Sequence, residues 1–136
     1  MTKQIWLNLP VKDLTKSKAF FSKLGFTFNE KYGNGPDSAC LLVGQNNFVI
    51  MLFTEAMFEQ VSGNKICDTK TGTEVLLSID AESREEVDEL AKKAVNAGGI
   101  LFAKPAEHQG WMYGCGFSDL DGHRWNVLYM DMSKMS

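Results

Sequence analysis

The stretch GFSDLDGHRWNVLYMD (residues 116–131) decides the fold. Asp121-Gly122 is the strongest short-range hairpin signal in the chain. After it, Trp125, Val127 and Tyr129 alternate with Asn126, Leu128 and Met130. That alternation predicts a strand, with Asn126 on one face and Trp125 and Val127 on the other. Both faces are largely apolar, so Asn126 is a polar group aimed at an enclosed surface. Two readings stay open: a structural amide bonded within the protein, or a residue lining a site.

The rest of the chain sets the frame. At 136 residues it is one compact unit or two small halves sharing a core. Hydrophobic residues make up 44%, and the net charge is −3 with Lys and Arg scattered. No basic stripe supports nucleic-acid binding. No apolar run approaches the roughly 20 residues of a membrane helix. The start, MTKQIWLNLP, has no signal-peptide core. Cys40, Cys67 and Cys115 have no paired spacing, which points to reduced thiols in the cytoplasm. Cys40 and Cys115 sit in apolar strands and read as buried; Cys67 lies in a polar loop.

Element signals run in order along the chain. QIWLNLPV (4–11) reads as a strand, with Trp6, Asn8 and Pro10 on one face. Asp13 caps a helix whose Ser17, Phe20, Phe21 and Leu24 form a stripe and which Gly25 ends. FTFNEKY (26–32) resumes as strand, GNGPD (33–37) is a turn, and 38–44 and 47–55 are two more strands. EAMFEQV reads as a short helix, followed by a polar linker. Then the order restarts: TEVLLSID (73–80) is a strand, and Ser83 and Glu86 make a capping box. Val87, Leu90, Ala91, Ala94 and Val95 form a helical stripe closed by Gly98-Gly99. ILFAK (100–104) is a strand, PAEHQG a loop, and 111–119 and 124–130 are the last strands.

Strand, helix, three strands thus occurs twice, with Trp6 answering Glu74 at an offset of 68. The expected architecture is α+β: two βαβββ modules, about 1–55 and 73–132, joined by a linker over 56–72 within one domain. The two sheets are expected to form one cupped mixed sheet with helices outside, around a hollow that takes a ligand.

NLPVKDLTKSKAFFSKLGF (8–26), AESREEVDELAKKAVNAGG (81–99) and YGCGFSDLDGHRWNVLYMD (113–131) resemble the vicinal oxygen chelate superfamily. That group includes glyoxalase I, bleomycin and fosfomycin resistance proteins and extradiol dioxygenases. The resemblance covers the whole chain and implies paired βαβββ modules, commonly in dimers. It also implies four inward metal-binding positions. Aligned on Asp13, they fall on Trp6, on Ile50 or Met51, on Glu74 and on Asn126. Only Glu74 is a good ligand; indole and aliphatic side chains cannot coordinate, and thioether and neutral amide are poor donors for hard divalent ions. The resemblance therefore points to a degenerate metal site and no metal cofactor. The alternative is a zinc, nickel or iron enzyme, a lactoylglutathione lyase-like or dioxygenase activity.

Other residues carry chemistry by type. Glu74 begins an apolar strand; buried, it would serve as a general base or anchor a cationic ligand. His123 reads as an exposed turn residue. His108, in the loop before the last hairpin, reads as surface or as a visitor to the mouth of the hollow with Trp111 and Tyr113. Trp6, Asn8, Met51, Trp111, Tyr113, Asn126 and His108 are the expected ligand-binding set, with Trp6, Trp111 and Tyr113 as an aromatic wall or plain core. The expected function is small-molecule binding by a homodimer.

Overall fold

A computed structural model describes residues 1–33 and 35–135. The chain divides into two compact units, Met1–Asp68 and Thr69–Ser136. The first runs β1 (Leu7–Val11), α1 (Leu14–Lys23), β2 (Thr27–Phe28), β3 (Ser38–Val43), β4 (Phe48–Thr54) and α2 (Glu55–Ser62). The second runs β5 (Leu76–Asp80), α3 (Arg84–Asn96), β6 (Ile100–His108), β7 (Met112–Ser118), β8 (Arg124–Met130) and a 3-10 turn (Met132–Lys134). Each holds a four-stranded mixed sheet, in the orders β1-β4-β3-β2 and β5-β8-β7-β6. The fold is therefore α+β, and the βαβββ repeat expected from the sequence is present with the same topology twice. Among the described residues, no helix is long and apolar enough to cross a membrane.

Local signals explain most element ends. Asp13 caps α1 by accepting the Lys16 N–H at 3.0 Å. Gly25, at φ +97°, supplies the left-handed residue that ends that helix. Ser83 accepts the Glu86 N–H at 3.1 Å, while Glu86 reaches back to the Glu82 N–H at 3.2 Å. Phe20, Phe21 and Leu24 of the first unit pack among buried Leu9, Val11, Leu41, Ile50 and Leu52. In the second unit, Val87, Leu90, Ala91 and Ala94 of α3 belong to a core with Cys115, Phe117, Trp125 and Val127. Cys40 and Cys115 are buried and Cys67 is exposed; burial pushes the Cys115 thiol up to about 11.

Several boundaries differ from the sequence reading. β1 begins at Leu7, not Gln4: it is an edge strand whose ladder to β4 starts at the Leu7–Ile50 pair. β2 spans two residues because the Asn29 side chain accepts the Lys31 N–H at 2.9 Å and turns the chain. The turn over 33–37 includes Asn34, which lies outside the described residues. β5 begins at Leu76, because its only neighbour, β8, begins at the paired Arg124. Residues 105–108 are strand, not loop. β6 is an edge strand with register shifts between Leu101 and Ala103 and between Ala103 and Ala106, which accommodate Pro105. Val95 is 49% exposed and leaves the helical stripe, since Leu90, Ala91 and Ala94 already fill the sheet-facing side. His123 is half-buried, its charge close enough to act on Asp119.

Asp119 organises the last hairpin. One carboxylate oxygen accepts the Asp121 and His123 N–H groups, each at 3.0 Å. The other accepts the Trp125 indole N–H at 3.1 Å. The Asp119 carboxyl is buried, and this desolvation pushes its pKa up against the pull of His123 and of these N–H donors. A carboxyl with a raised folded pKa contributes stability that is full at pH below its unfolded pKa and is lost as pH rises through its folded value. Asp119→Asn places an amide N–H against the indole N–H, so it should cost about 1–3 kcal/mol. The wild-type advantage over Asp119→Asn should shrink as pH rises through that window, read as the difference in urea midpoints. A difference independent of pH would refute the raised pKa.

Candidate functional site

Each sheet has a helix-packed face and an opposite face, and the parity of the strands assigns residues to them. In the first unit Ile50, 1% exposed, belongs to the core side with Leu9 and Leu52. Its neighbour Met51 therefore points the other way. Asn8, Met51 and Cys40 form one row across β1, β4 and β3 on that second face. Of the two candidates for the second position, Met51 is the one on the face opposite the core.

This row lies beside a groove of about 870 Å³. Trp6, Tyr32, Met51 and Phe53 give it apolar and aromatic walls, with Asn29 and Cys40 also lining it. Gly33 brings the segment after β2 close to the sheet. Its φ is +62°, and a Cβ there would stand 2.9 Å from the Cys40 nitrogen and 3.0 Å from the Met51 methyl. Only glycine suits that backbone and that approach. Burial pushes the Cys40 thiol up, against a backbone hydrogen bond with Asn29. The Asn8 Oδ1 is buried and, among the described residues, has no hydrogen-bond partner. A buried acceptor left unpaired costs stability and marks a place where a donor fits.

In the second unit Asn126 is half-buried on the face away from Trp125. Its Nδ2 donates to the Ser78 Oγ at 3.4 Å, and Gly116 flanks it on β7. Asn126 is thus a partly bonded amide on the face opposite the core. Glu74 stands two residues ahead of β5, in a bend, and is exposed. Tyr113 shares the face of Cys115 and Phe117, opposite to Asn126. Its hydroxyl donates to Asp88 Oδ1 on α3 at 2.7 Å, and this bond is the main cause of a raised Tyr113 pKa. The Arg84 guanidinium lies 4.8 Å from the centre of the Tyr113 ring and pairs with Glu107. That pairing holds the Glu107 carboxyl below the usual carboxylate range. Trp111 is half-buried in the turn before β7, its carbonyl accepting the Asp131 N–H at 2.8 Å. His108 is exposed on β6 opposite Met112, four residues along β7 from Gly116.

The structure brings Trp6 and Met51 into one groove, with Asn8 beside Met51, and joins Asn126 to Ser78. It does not bring Tyr113, Trp111 or His108 to Asn126. Tyr32, Asn29, Phe53 and Cys40 escaped the sequence reading. The turn signal GNGPD (33–37) was visible, but what the segment before it packs against was not.

The donor set does not fit a divalent metal. Among the described residues, no three His, Cys, Asp or Glu side chains are grouped to hold one. The inward positions offer an indole, a thioether, an exposed carboxylate outside the strand and a neutral amide.

Comparison with known proteins agrees with the fold. A family model described as bleomycin resistance protein-like N-terminal matches residues 3–44. The solved structure of a hypothetical protein from S. aureus is 35% identical over 95% of this chain and 94% of that chain, with a TM-score of 0.84. A glyoxalase/bleomycin resistance protein/dioxygenase family enzyme from Burkholderia phytofirmans shares 21% identity over 92% and 96%, with a TM-score of 0.77. A glyoxalase-related enzyme from Fulvimarina pelagi shares 19% over 94% and 88%, with a TM-score of 0.78. No curated protein matches the chain. Over residues 3–44 the chain matches the bleomycin resistance protein-like family, and over most of its length it shares the fold of glyoxalase/bleomycin resistance proteins.

The unpaired Asn8 acceptor yields a stability test. Asn8→Leu, similarly branched and with no polar atoms in its side chain, should stabilise the ligand-free protein by about 1 kcal/mol. Thermal melts that show Asn8→Leu to be destabilised would mean that the amide is satisfied.

Proposed function

We propose that the protein binds a small, largely apolar aromatic molecule in the groove of the first module, and does so without a metal. The groove itself carries this reading. Its volume, about 870 Å³, falls in the range of drug-sized sites. Its walls are aromatic and thioether side chains, which suit a flat ligand. Asn8 Oδ1 offers an unpaired acceptor beside them. The metal-free reading rests on the chemistry of Trp6, Met51, Glu74 and Asn126, none of which joins two other strong donors. Glu74 is exposed in a bend ahead of β5.

A homodimer and a reducing, cytoplasmic setting belong to the same proposal. Exposed apolar residues such as Ile5, at 82%, and Val61, at 60%, support association. Three free cysteines support a reducing compartment. Sedimentation at micromolar concentration should give the dimer mass; a monomer would remove that part.

The groove is tested by NMR titration with metal-free bleomycin and, separately, with the dye anilinonaphthalene sulfonate. At least one should shift the Trp6 indole N–H, and Trp6→Ala should weaken that binding about tenfold. If neither probe shifts Trp6, or if both act only on Trp111, the groove assignment fails. Metal analysis of the purified protein should find near-zero zinc, nickel and iron. Stoichiometric metal that is lost in Glu74→Ala would overturn the metal-free reading.

A further inference from the structure

We propose that the second module carries a subsite for a carboxylate, with Arg124 as its receptor and the Phe102 ring as the shelf that holds Arg124 in place. This does not depend on the groove of the first module.

The construction starts at the first register shift of β6. Leu101 pairs with Phe117 and Ala103 with Gly116, so Phe102 is the extra residue of a bulge. Its ring turns onto the sheet face that carries Asn126. Gly116 admits it there: a Cβ at that position would collide with the Phe102 ring. Arg124 opens β8 on the same face, flanked in register by Leu76 and Ser118. Its guanidinium carbon lies 4.3 Å from the centre of the Phe102 ring. A bulge, a glycine and an aromatic ring thus combine to seat one cation.

Among the described residues Arg124 makes no ion pair, whereas Arg84 and Lys93 do. Glu74 stands at the same end of the sheet, two residues before Leu76, and is not paired with it. Arg124 is half-buried amid apolar surface: Leu76 is 54% exposed, Ile100 68% and Phe102 40% on this face. Stacking occupies the flat face of the guanidinium and leaves its N–H edge free, in a planar fork that matches a carboxylate. The Ser78 hydroxyl and the Asn126 amide lie two register positions further along on the same face, as polar partners for the same ligand. The face therefore suits a molecule with one carboxylate on an apolar body.

The test uses the full chain and three probes: benzoate, benzamide and inorganic phosphate. In NMR titrations benzoate should shift the Arg124 Nε–H and the Gly116 N–H at millimolar concentration, and benzamide, the neutral analogue, should bind at least about tenfold more weakly. Arg124→Gln should abolish the benzoate response, and Arg124→Lys should not restore it, since an ammonium lacks the planar fork. Gly116→Ala displaces the shelf and leaves Arg124 in the chain; it should weaken benzoate severalfold. Equal binding of benzoate and benzamide by the wild type overturns the proposal without any variant. So does a benzoate response that survives Arg124→Gln. Phosphate binding with benzoate silent overturns the carboxylate assignment.

Discussion

The second module depends on what the Asp119 carboxylate does. A β-strand presents alternate residues to opposite faces, so whichever interaction fixes the first residue fixes all the rest. Here that interaction is the bond from the Trp125 indole N–H to Asp119. The same carboxylate gathers two backbone N–H groups of the turn, so turn and strand are set together. With Trp125 locked inward, its ring stacks on Phe117 at 6.1 Å with an interplanar angle of 1°. Val127 follows it into the core, and Arg124, Asn126 and Leu128 are left to the other face. A slip of one residue would bury Arg124 and Asn126 and expose the tryptophan.

The two modules share a plan and differ in what they place on their second faces. Each crosses from its first strand by a helix and returns it parallel to its last strand. In the first, Asn8, Met51 and Cys40 make a mostly apolar row, and Gly33 lets the chain fold back against it. In the second, two glycines of β7 replace side chains on that face. The Leu128 side chain lies within 2.6 Å of where a Gly114 Cβ would stand, and the Phe102 ring occupies the place of one on Gly116. The repeat supplies the scaffold; glycine positions decide which neighbouring side chains lie flat on it.

The parts of the fold written in local chemistry were legible. Caps at Asp13 and Ser83, helix ends at Gly25 and Gly98, and the alternation through Trp125 depend on residues within a few positions of one another. What was not legible depends on partners distant in sequence. Glu74 looks like a strand residue until β8 is seen to begin opposite Leu76. Residues 105–108 look like a loop because Pro105 forbids a central strand, and only the edge position of β6 permits one. Asp119 was one of two acidic residues in a turn, and nothing local says which one takes the indole. Of the candidate site, the alternation that puts Asn126 on the face opposite Trp125 was legible. The choice of Met51 over Ile50 needed the core packing, and the stacking of Arg124 on Phe102 needed the bulge.

The edges of the sheets have a consequence for self-assembly. A free strand edge is a template onto which another chain can add. The edge β6 is broken by two register shifts and carries Pro105, which has no N–H to offer. The edge β2 is two residues long. The edge β1 contains Pro10. Of the four edge strands described, β5 alone is both longer than two residues and free of proline. On the other three edges, proline, register shifts or sheer shortness thus discourage strand addition.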